Sequence, residues 1–324
     1  MFYINMFINI TFVKKNMSLL IVGTVAFDKI ETPLGKTNTI LGGAATYIGI
    51  TSSYFYKKTN IISVVGEDFP SRYISLLEQH QINTLGIKKV EGGKTFFWEG
   101  KYHTNMNQRD TISTELNVLA EFDPVVPDEY QDCTFLMLGN LDPGIQLKVL
   151  KQLKKRPKLV VMDTMNFWMD LMWDELHEII NLVDVLSIND EEARQLSDEH
   201  SLVLAARKIL NMGPKFLIIK KGEHGALLFD KSGNSFFAPA LPLENVFDPT
   251  GAGDTFAGGF IGYLAKTEDL TFKNMKSAVL YGSAMASLSV EKFGTKKIAY
   301  LTKEEINFRI ERFKKLIESQ LDYI

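Results

Sequence analysis

Cysteine is almost missing from this 324-residue chain, which holds one, Cys133. An intramolecular disulfide is thereby excluded, and the usage fits a reducing compartment; a cytoplasmic protein is expected. Histidine is scarce too, and five scattered residues with one cysteine make no zinc site. Charge of one sign is not in excess. A formal net charge of −3 gives no reason to expect a nucleic acid or an anionic membrane as partner. No apolar run reaches membrane-spanning length. The opening "MFYINMFINITFVKKN" is apolar and then basic, the reverse of a secretory signal. Residues 1–17 are read as an extension outside the fold, with an upstream start codon as one origin. Internal repeats and low-complexity tracts are lacking.

What remains is ordinary for a globular protein: 45% hydrophobic and 23% charged residues, in a length that suits one large α/β domain or two smaller ones. Short apolar runs recur at 19–23, 61–66, 134–139, 159–163, 183–188 and 216–222. They are apolar nearly throughout instead of alternating, as in strands covered on both faces. Helical patterns lie between them, at 144–156 and 201–213, and two long helices are expected at 272–294 and 302–321. This alternation predicts a mostly parallel sheet with helices on both sides. Two regions break it, about 27–43 and 90–119. Rich in Thr, aromatics and Gly turns, they read as exposed strands of a small separate sheet, a lid over a site. Its uncovered edge could pair with a second copy in a homodimer.

One stretch carries chemistry. "DPTGAGDTFAGGF" (248–260) is a glycine-rich turn running into an apolar helix from about Gly253. Bare N–H groups and the positive end of the helix dipole make such a turn an anion site. Gly258 and Gly259 read as packing glycines. Asp254 can cap the helix, or face a phosphate acceptor as an oriented carboxylate. Two other phosphate motifs fail. "GKT" at 35–37 and 93–95 lacks the earlier P-loop glycine, where Ile30 and Lys88 stand, and the dinucleotide fingerprint meets Phe256 at its third glycine.

The stretch resembles the C-terminal signature of the ribokinase-like, or PfkB, family of sugar and nucleoside kinases. Other elements are similar in order along nearly the whole chain from Ser18: "GTVAFD" (23–28), "LGGAATY" (41–47), "NDEE" (189–192) and "KKGEHG" (220–225). The resemblance implies a ribokinase-like α/β fold over 18–324 and ATP-dependent transfer to a hydroxymethyl group of a sugar. Alternatives are a nucleoside kinase and a non-catalytic sugar- or nucleotide-binding homologue. Asp254 becomes the general base, ionised by its helix N-terminus, and the amides of Gly251, Ala252, Gly253 and Asp254 an anion hole. Asp28, Gly42, Gly43, Tyr47, Phe97 and Asn166 face the acceptor. Asn189, Glu192, Lys221, Gly222, Gly225, Thr250 and Ser283 face ATP. Glu192 supports Mg²⁺ through water, although locally Asn189 and Glu192 also read as a plain helix start. A K⁺ site near Asp248 and Thr250 is implied as well. The chain departs from the family at three places. Tyr47 stands where Asn is usual, "MDTMNFW" (162–168) has one extra residue before Asn166, and Lys220 replaces a common Thr.

Overall fold

The apolar runs feed two cores at once. In the computed structural model, which describes residues 17–318, Leu19, Ile21, Phe135, Met137 and Val161 enter one hydrophobic cluster. Their neighbours Leu20, Val22, Leu136, Leu138 and Val160 enter another on the opposite face. Side chains alternate across a strand, so a strand buried on both faces must be apolar at every position. Nine strands form the sheet, in the order Ser235–Ala238, Ala226–Asp230, Phe216–Lys220, Val185–Asn189, Leu159–Asp163, Phe135–Leu138, Leu19–Val22, Thr59–Gly66 and Ile82–Val90. All pair in parallel except the first two, which form an antiparallel hairpin at one edge.

Helices Ala44–Ser53, Ala252–Thr267, Phe272–Ser289 and Lys303–Ile317 cover one face. Helices Pro143–Gln152, Trp173–Leu182, Asp190–Ser197 and Leu202–Asn211 cover the other. The expected helix over 272–294 stops at Ser289, and the last helix is capped at its start by the reciprocal bonds of Thr302 and Glu305. Strand Ile82–Val90 and the hairpin over 226–238 were not anticipated. Both lie at sheet edges, half-exposed, and lack the unbroken apolar run of the central strands. The extension read at 1–17 lies, except for Met17, outside the described residues, as do the last residues of the 302–321 segment.

The lid is a second sheet, of strands Ala26–Thr32, Gly35–Lys36, Ile40–Gly42, Phe97–Tyr102 and Arg109–Glu115. Along Ala26–Thr32 the buried residues are Ala26, Asp28, Ile30 and Thr32, while Lys29 and Glu31 face out. The outward pair forms ion pairs with Glu99 (2.9 Å) and Lys101 (2.7 Å) on the neighbouring strand. Side-chain hydrogen bonds tie lid to body. Thr32 Oγ1 donates to the Phe247 carbonyl (3.0 Å), Thr250 Oγ1 to the Tyr102 hydroxyl (3.0 Å) and Asn107 Nδ2 to Glu223 (2.9 Å). The outer strand Arg109–Glu115 is largely exposed.

Candidate active site

The glycine-rich turn is built by Asp248. One carboxylate oxygen accepts the Thr250 N–H (2.8 Å) and the other the Gly294 N–H (2.7 Å). Gly251 then takes φ 72°, ψ 5° and starts helix Ala252–Thr267. A β-carbon there would meet that strained region and would lie 2.5 Å from the Tyr47 ring. The Ala252 N–H is engaged by the Pro249 carbonyl (3.1 Å), which removes it from the expected anion hole. Among the described residues no protein acceptor meets the N–H groups of Gly251, Gly253 and Asp254. Gly258 and Gly259 pack as read: β-carbons there would lie 2.6 Å from the Ile48 carbonyl and 3.0 Å from the Tyr281 carbonyl.

Opposite the turn lies Asp28, 5% exposed. Its carboxylate rests on Gly42, where a β-carbon would come within 1.9 Å of Oδ2. Thr24 caps helix Ala44–Ser53, accepting from Ala44 and Ala45 (both 2.9 Å), and this aims the helix start at the site. Tyr47, on its first turn, is 1% exposed. Its hydroxyl has no partner among the described residues, though Asp28, Asp248 and Asp254 surround it. A buried hydroxyl left unpaired costs about 1–3 kcal/mol.

The lid supplies groups that sequence reasoning missed. Asp28 pairs in register with Trp98, and Phe27 with Phe97. Paired residues share a face, so Trp98 stands beside Asp28, while Phe97 shares the other face with Phe27, which stacks on Phe69. The aromatic run points to a wall, and the register places that wall one residue on. The indole lies over Gly100 and is held by Nε1 donating to Thr111 (3.3 Å). Tyr102 is buried on the same face, and Arg109 sits 5.7 Å over the Trp98 ring.

The strand ends complete the site. Lys220 Nζ binds both oxygens of Asp163 (3.0 and 3.2 Å). A β-carbon on Gly253 would lie 3.3 Å from that nitrogen, so the ammonium abuts the turn. Asn189 and Glu192 form the capping box of helix Asp190–Ser197, each side chain bonded to the other's N–H (2.8 and 2.7 Å). The local reading of a helix start therefore holds, and it leaves Glu192 Oε1 free of that box. The Lys221 N–H donates to the Gly225 carbonyl (2.7 Å), closing the turn that contains Gly222. Ser283 is half-buried on helix Phe272–Ser289, which packs on helix Ala252–Thr267. Asn166 starts a short helix and donates to Gln195 on the exposed side, whereas Asp163 of the same segment points into the site.

Burial decides the charge states. It pushes Asp254 up to about 7, with Asp163 adding to the rise while Lys220 and Arg109 oppose it. Burial thus opposes the ionised form that the helix N-terminus favours. Asp28 also rises to about 7 through burial and then Asp248 and Asp254, against the Gly43 N–H. Glu192 reaches about 7 through burial, with Asp163 raising and Lys220 lowering it. Burial lowers Lys220, but Asp163 and Glu192 outweigh it and hold the ammonium charged. A base must be ionised, so kcat/KM for ATP should rise through an acid limb near pH 7, not near pH 4. A flat profile between pH 5 and 8 contradicts this. The same groups bind more protons folded than unfolded between about pH 4 and 7. Stability of the nucleotide-free protein should therefore fall as pH rises through that window.

The site fits ATP: unspent amides at a helix N-terminus, a bare turn and a buried ammonium converge at the strand ends. Glu192 Oε1 is the group that could hold a water of Mg²⁺, and among the described residues no cluster of three metal-ligating side chains exists. Asp248 holds one backbone N–H on each carboxylate oxygen and so clamps the loop. No helix among the described residues is long and apolar enough to cross a membrane.

Comparison with known proteins agrees with this geometry. The profile of the pfkB family carbohydrate kinases matches residues 20–300. The chain is 32% identical to the cytidine kinase of Thermococcus kodakarensis over 76% of its own length and 88% of that protein's. It is similar in fold to the nucleoside kinase of Methanocaldococcus jannaschii (TM-score 0.74, 23% identity, 91% and 99% of the chains covered). A ribokinase II from E. coli in complex with ATP and Mg²⁺ superposes with TM-score 0.77 at 21% identity, over 91% and 99% of the chains. The turn, the lidded α/β sheet and the match along nearly the whole chain place this protein in the PfkB family, as a phosphotransferase with an alcohol group as acceptor.

Proposed function

We propose that this kinase transfers the γ-phosphoryl group of ATP to the hydroxymethyl group of a nucleoside. The observation that carries the phosphoryl-transfer half is the meeting of Asp254, raised to about 7, with the unspent amides of Gly251 and Gly253. Asp254 takes the acceptor's proton as the new phosphorus–oxygen bond forms and the bond to ADP breaks. A loose transition state needs that proton only late, so a base near 7 suffices. The amides of Gly251, Gly253 and Asp254 hold the equatorial oxygens, and Arg109 adds charge from the lid. Mg²⁺, when bound with the nucleotide, supplies further positive charge to the phosphates. Asp28 accepts from a vicinal diol.

The acceptor favoured here is a nucleoside and not the free sugar first expected. Trp98, a fixed indole beside Asp28, gives a flat base a surface that ribose alone does not use. The similarity to a cytidine kinase over most of both chains supports the same reading. Base–aromatic stacking is worth about 1–3 kcal/mol. Trp98→Ala should therefore raise KM for a nucleoside roughly tenfold or more and leave KM for ribose and ATP within about twofold. A wild type that prefers free ribose, with no response to Trp98→Ala, overturns the nucleoside assignment. A second copy pairing along the exposed Arg109–Glu115 edge is the oligomer that the lid supports.

A further inference from the structure

Lys220 is a charge for which the local fold has no need. It ends strand Phe216–Lys220, in register with Asn189 of the adjacent strand. Its side chain is 17% exposed and bridges one strand further, to Asp163. Removing an ammonium from water is costly, and a buried ion pair often stabilises no better than apolar residues of the same size. The pair does not finish the ammonium's hydrogen bonding either. A lysine has three N–H donors, Asp163 receives two contacts, and no other acceptor of Lys220 is found among the described residues. The nitrogen lies against Gly253, beside the amides that also have no acceptor. Spare donors on a fixed cation and on the backbone thus converge on one spot.

We propose that Lys220 is a phosphate-contacting residue, donating its spare N–H to the terminal phosphoryl group of the nucleotide, with Asp163 as the positioning residue that aims it. The inference rests on the kinase reading and deepens it. A cation at the outermost phosphate distinguishes a triphosphate from a diphosphate. It also stabilises charge on the group in flight, where loss of one donor typically lowers turnover about 10²–10³-fold.

The test is calorimetric binding of the β,γ-imido analogue of ATP and of ADP, each with Mg²⁺, to the full chain. Lys220→Met should weaken the triphosphate analogue tenfold or more and ADP less than about twofold. Because Lys220→Met leaves Asp163 buried without its partner, the neutral pair Asp163→Asn/Lys220→Met is measured beside it and should show the same selective loss. In Asp163→Asn alone the ammonium persists, so the triphosphate preference should fall less than in Lys220→Met. Equal weakening of both nucleotides, or none, in the neutral pair overturns the role of Lys220. A wild type that binds neither nucleotide overturns the kinase reading itself.

Discussion

Asp254→Asn should retain the fold and nucleotide binding and lose turnover by at least about a hundredfold, the usual scale for removing a general base. The substitution keeps the size of the side chain and takes away the only property that the mechanism uses. It also removes a negative charge from a cluster in which Asp28, Asp163 and Glu192 are crowded. Nucleotide affinity should therefore stay level or improve. That split separates a base from a structural cap. If Asp254 only capped its helix, Asn would replace it at little cost, since Asn and Asp rank together as caps. Turnover near the wild-type value would sink the role assigned to Asp254.

Gly251→Ala should be more damaging to the molecule as a whole. Alanine at φ 72° costs about 1–2 kcal/mol. The added carbon would lie 2.5 Å from the Tyr47 ring, a distance at which something must shift, and forced overpacking costs about 1–3 kcal/mol more. Together roughly 2–5 kcal/mol of stability is lost, enough to lower the thermal midpoint clearly in a denaturation scan. The amides of Gly253 and Asp254 move with the turn, so turnover should fall by about 10²-fold or more even at temperatures where the variant stays folded. A variant with unchanged melting and unchanged turnover would show that the Tyr47 contact is not tight and that the turn tolerates displacement.

The parts of this fold that were legible are those encoded locally. Unbroken apolar runs marked the buried parallel strands because both faces of each strand need apolar residues. The 248–260 turn was legible because glycines and an aspartate crowd one helix start. Edge elements such as Ile82–Val90 mix polar and apolar residues and carry no such mark. Within the site, the residues that were missed act across sequence distance. Asp163 and Lys220 meet 57 positions apart, and each looks like a plain strand end on its own. Phe97 and Trp98 are adjacent aromatics, and only the pairing register with Phe27 and Asp28 separates their faces. The charge state of Asp254 depends on distant contacts in the same way. A helix dipole can be read from neighbours in the chain, whereas the burial of Asp254 is set by the tertiary fold.

The most direct test of the account is ADP release by the purified wild-type chain with Mg-ATP against a panel of nucleosides and free sugars, run beside Asp254→Asn. The account predicts acceptor-dependent ADP release that is strongest with a nucleoside, yields a nucleoside monophosphate, and is nearly abolished in the variant. Release that ignores the acceptor, or equal release by the two proteins, would contradict it.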